Sequence, residues 1–171
     1  MSRVRTGAET GSALAAASRL PGPERLVGFG FRLWLNGFRT GDISSWEQAW
    51  CAYASTLGAV AAKTAVGELS SWVRAISCYA QRPLETAPNA CECFWHDERV
   101  AIAMIAACQH HACPAMRACA FALLGCSMID EVVEGAESFA RTLHRVDQVL
   151  LPASADAASL LAMPAATASR H

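Results

Sequence analysis

Apolar residues recur along this chain at the three-to-four-residue step of an α-helix, and stretches that alternate apolar and polar at every second position are scarce. Val27, Phe31, Trp34 and Phe38 fall on one stripe, and Leu26, Phe29 and Leu33 on a second. The spacing therefore predicts a helix over 24–38 that is apolar around most of its circumference, as in a helix buried in a core or covered by a partner. A second helix is predicted from Ser44, where Ser44 and Glu47 have capping-box spacing and Trp46, Trp50, Tyr53, Leu57 and Val60 share a face. Leu69, Trp72, Ile76 and Tyr79 predict a third over 68–80, and Pro83 and Pro88 mark 81–89 as a loop.

Ala101, Met104, Ile105 and Cys108 place a fourth helix over 97–110. Pro114 suits the first turn of a short fifth helix that stops near Gly125. Ser127 is positioned to cap a sixth over 128–151, whose face carries Ile129, Val132, Ala136, Phe139, Leu143, Val146 and Leu150. Its carboxylates come early and Arg141 and Arg145 late, which complements the helix dipole. The fold expected is all-α: a single-domain antiparallel bundle of five or six helices over 23–151. A flexible N-terminal tail is expected at 1–22 and a disordered Ala/Ser-rich C-terminal tail at 152–171.

Composition sharpens this picture. At 171 residues the chain can bury one sizeable core, and 53% hydrophobic against 17% charged residues leaves apolar surface for a protein partner or a second copy to cover. Fourteen basic and fifteen acidic residues give a net charge of −1, so no long-range attraction for nucleic acid is expected. Gln109, His110, His111, Pro114 and Arg117 interrupt the longest apolar stretch, and no membrane span is expected. The first ten residues lead into no apolar export signal, so the eight cysteines are read as reduced thiols of a cytoplasmic protein.

Candidate chemistry centres on Cys91, Cys93 and His96, followed by Cys108, His111 and Cys113. Thiolate with imidazole suits zinc, the one cofactor these residue types imply. A helix over 97–110 would hold its ends about 20 Å apart, too far for one ion to take ligands from both. The plainer reading makes the cysteines small hydrophobes of an alanine-rich core. Asp97 and Glu98 diverge by about 100° on a helix and so read as dipole partners rather than an acid–base pair. Trp46, Trp50 and Trp72 are candidates to line an apolar pocket, though core packing explains them as well. Arg25, Arg32 and Arg39 recur every seven residues and, with Phe31, Trp34 and Phe38, form a candidate partner surface. The signatures of di-iron bundles, zinc proteases, phosphate-binding loops and serine hydrolases are absent, and the balance leans away from an enzyme. Three readings follow: a non-catalytic, self-associating interaction or regulatory module; a metal- or redox-responsive protein built on the Cys/His cluster; and a small-molecule binder or enzyme with a tryptophan-lined pocket.

Overall fold

The computed structural model describes residues 20–161. Among these there are seven α-helices and no strand: α1 Gly22–Thr40, α2 Ile43–Leu57, α3 Ala59–Tyr79, α4 His96–Gln109, α5 Cys113–Leu124, α6 Asp130–Arg145 and α7 Pro152–Leu161. The tail residues 1–19 and 162–171 lie outside the described range. The seventh helix occupies part of the segment expected to be a disordered tail. Pro152 opens it rather than breaking it, because a proline in the first helical turn gives up no intrahelical hydrogen bond.

Local chemistry sets the boundaries. Gly41 ends α1 at φ 71°, in the left-handed conformation that relieves the last turn. The cap of α2 is Asp42, not Ser44: its carboxylate accepts the Ser44 N–H at 3.0 Å, and the Ser44 hydroxyl, then that N–H, lower the pKa of the same carboxylate. Gly58 alone separates α2 from α3, which starts at Ala59, ahead of the predicted 68. The last long helix, α6, stops at Arg145 rather than continuing to 151, because Asp147 turns the chain at φ 58°. Gln109 fixes the departing strand of chain: its amide donates to the Gln148 carbonyl at 2.9 Å and accepts the Leu150 N–H at 2.8 Å.

The core is organised around α4, where every residue from Val100 to Ala107 is buried. This helix packs against α1, α5, α6 and α7, while α3 packs against α2 and α6. Trp72 is fully buried between Phe31 and Phe139, with ring centroids 5.8 Å away on either side. The first helix, expected to cover an open side or a second subunit, is covered by its own chain, packing on α2, α3 and α4. No described helix is long and apolar enough to cross a membrane.

Candidate functional site

The first turn of α4 carries two adjacent carboxylates, and each meets a different arginine. Asp97 takes both guanidinium nitrogens of Arg82, at 2.6 and 3.0 Å, and accepts the Glu85 N–H at 2.7 Å. Glu98 is fully buried and pairs with the equally buried Arg32 of α1, Nε to Oε1 at 2.5 Å. The other Glu98 oxygen accepts the N–H groups of Trp95 at 2.6 Å and Ala87 at 3.3 Å. The pair sits at the positive end of the helix, as the sequence suggests, but ion pairing and loop binding occupy it as well.

Arg32 spends its remaining donors on the loop between α3 and α4. Nη1 donates to the carbonyls of Pro88 at 3.2 Å and Cys91 at 2.5 Å, and Nη2 donates to the carbonyl of Cys93. Its guanidinium packs on the rings of both Phe29 and Phe94, 5.0 and 5.2 Å from their centroids, and the two rings meet edge to face at 5.1 Å. Gly28 makes room for this: a Cβ there would lie 2.5 Å from the Phe94 ring, so the aromatic packs on bare helix backbone. The loop is thus wrapped around an arginine that α1 supplies. Within it, Cys91 and Cys93 are joined by a disulfide, and the other six cysteines are free. The expectation of eight reduced thiols therefore fails at this pair. Both bonded cysteines are half-buried, and Glu92 between them is exposed.

The remaining candidates scatter. His96 is exposed at the start of α4, Cys113 is exposed at the start of α5, and Cys108 is half-buried near the end of α4. Among the described residues no group of three or more His, Cys, Asp or Glu side chains could hold a metal ion. Cys91 and Cys93, bonded to each other, offer no thiolates. Cys108 and His111 do come together, in a half-open cleft of about 430 Å³ between α4 and α6, with Glu137, Arg141, His144 and Arg145. Burial, then the negative charge of Glu137, pushes the Cys108 thiol up to about 12, so it stays protonated near neutral pH.

The proposed partner face of α1 is corrected in part. Phe31 and Arg32 are fully buried and cannot meet a partner, because the α3–α4 loop and the core already cover them. Trp34 is half-buried against Trp46, while Arg25, Phe38 and Arg39 remain exposed, Arg39 donating to the Leu84 carbonyl at 3.1 Å. The three tryptophans offered as pocket walls stand apart: Trp72 in the core, Trp46 against α1, and Trp50 at a shallow groove beside Val60. Sequence reading missed the Arg32–Glu98 pair. Its one signal was an arginine set between Phe31 and Leu33 on a helix apolar nearly all round. No family model matches the chain, and comparison with curated proteins and with solved structures finds no match.

Proposed function

We propose that this protein is a non-catalytic regulatory module in which Cys91 and Cys93 form a thiol–disulfide switch. One observation carries the reading: the carbonyls of both cysteines are acceptors for the buried guanidinium of Arg32, which is itself paired with Glu98. Opening the disulfide frees the turn that presents those carbonyls, and so reaches the contact between α1 and α4. A disulfide across one intervening residue closes a very short loop, which removes little entropy from the unfolded chain and makes a poor structural staple. With Glu92 exposed and both cysteines only half-buried, the turn lies within reach of a protein or small-molecule dithiol.

The exchange is a two-electron step. A thiolate of the dithiol attacks one sulfur, forming a mixed disulfide and releasing the other as a thiolate. The second thiol of the reductant then attacks the reductant's own sulfur in that mixed disulfide and displaces the protein cysteine as a thiolate, leaving two cysteine thiols and the reductant as a disulfide. Equilibration across dithiol/disulfide ratios, alkylation and peptide mass spectrometry should give a reversible transition confined to Cys91 and Cys93. Reduction should also speed amide exchange over 81–95 and in α1. A pair that stays reduced at every ratio, or reduction that leaves exchange unchanged, would overturn the reading.

Self-association is a second reading, favoured by Val60, which is 89% exposed beside the 38% exposed Trp50 on one shallow groove. Sedimentation should show a concentration-dependent dimer that Val60→Glu abolishes; a monomer at every concentration would refute it.

A further inference from the structure

We propose that the cleft between the C-terminal ends of α4 and α6 binds a small oxyanion, a carboxylate or phosphate group carried by a small molecule. Arg141, His144 and Arg145 line it from α6, and His111 lines it from the turn between α4 and α5. The ion pairs among the described residues engage Arg32, Arg82 and Arg117, so neither Arg141 nor Arg145 has a described carboxylate within 4.0 Å. That holds even though Glu137 lies one helical turn from Arg141 and lines the same cleft. Two unpaired guanidinium groups and two imidazoles thus face one concave surface, against a single carboxylate.

The dipole of α6 favours basic side chains in its last turn and accounts for His144 and Arg145 without any ligand. It does not account for the concavity, or for His111. That residue holds φ 55°, a left-handed conformation that strains a non-glycine residue. A glycine would close the turn with less strain, and histidine instead contributes an imidazole to the cleft. Cys108 lines the cleft as a neutral thiol and adds no negative charge to oppose the anion. Glu137 is a charge that a singly charged anion tolerates better than a doubly charged one, and it offers an acceptor to a hydroxyl or ammonium on the same ligand.

The test titrates the full-length protein with inorganic phosphate and, separately, with acetate, at ionic strength held constant with chloride. Imidazole NMR signals of His111 and His144 report binding. The expected result is a saturable shift with at least one anion, weakened by about tenfold or more in Arg141→Gln/Arg145→Gln. A response to phosphate alone assigns the site to phosphate-bearing ligands, and a response to acetate alone to carboxylates. His111→Gly suits the left-handed turn and keeps the fold; it should weaken the response read at His144, and it stands in if the double variant fails to fold. No saturable shift with either anion, or variants that respond like the parent, would overturn the site. The cleft shares no residue with the Cys91–Cys93 loop, so this outcome is independent of the switch.

Discussion

Arg32 shows how much one side chain can organise. Its Glu98 partner, three carbonyl acceptors and two aromatic faces come from the 81–98 segment and α1 itself. Removing one member of a fully buried pair leaves the other charged and unpartnered, a loss of about 3–5 kcal/mol. Arg32→Ala should therefore lower unfolding free energy by about that much in urea titrations, whereas Arg39→Ala, losing an exposed arginine, should cost about 1 kcal/mol or less. Equal, small losses would show that the Arg32 pair is solvated. The seven-residue spacing of Arg25, Arg32 and Arg39 was legible in the sequence, and all three lie along α1. What Arg32 binds was not, because carbonyls occur at every residue and leave no trace in residue identity.

Helices approach closely where α1 lacks side chains. A Cβ at Gly30 would lie 2.5 Å from the Tyr53 hydroxyl, which donates to the Leu26 carbonyl at 3.1 Å, and one at Gly37 would collide with the Trp46 ring. Alanine favours a helix over glycine by about 1 kcal/mol, so at an open position the substitution should stabilise. Gly67, exposed within α3 with nothing near its missing side chain, is such a position. Gly67→Ala should raise the thermal midpoint, and Gly30→Ala should lower stability by about 1–3 kcal/mol through overpacking. A gain at both positions would mean that α1 and α2 are looser than described. Periodicity located α1, α4 and α5 to within a few residues, because their apolar stripes and their glycine or proline stops agree. It overran α6, since Val146 and Leu150 continue the spacing. Leu150 is indeed buried, but from irregular chain held by Gln109 rather than from a helix, and burial alone does not distinguish the two.

Across the molecule, burial also couples stability to alkaline pH. The Cys108 and Cys119 thiols move from 9.0 to about 12, Cys119 by desolvation and Cys108 by desolvation reinforced by Glu137. Below pH 9 both states keep these protons and stability is unaffected. Between pH 9 and 12 the unfolded chain releases them while the folded protein holds them, so stability falls by about 1.4 kcal/mol per pH unit for each thiol. Urea midpoints should drop across that window, and Cys119→Ala should lessen the slope; a midpoint flat to pH 11 would contradict the burial of both groups. The position of α4 bears on biosynthesis as well. Its enclosing partners include α1, made early, and α7, which follows a further hundred residues later and is fastened by the Leu151 N–H to the buried Glu24 carboxylate at 2.6 Å. A nascent chain therefore carries its most deeply buried helix part-covered until α7 leaves the ribosome, and chaperone protection would matter most during that interval.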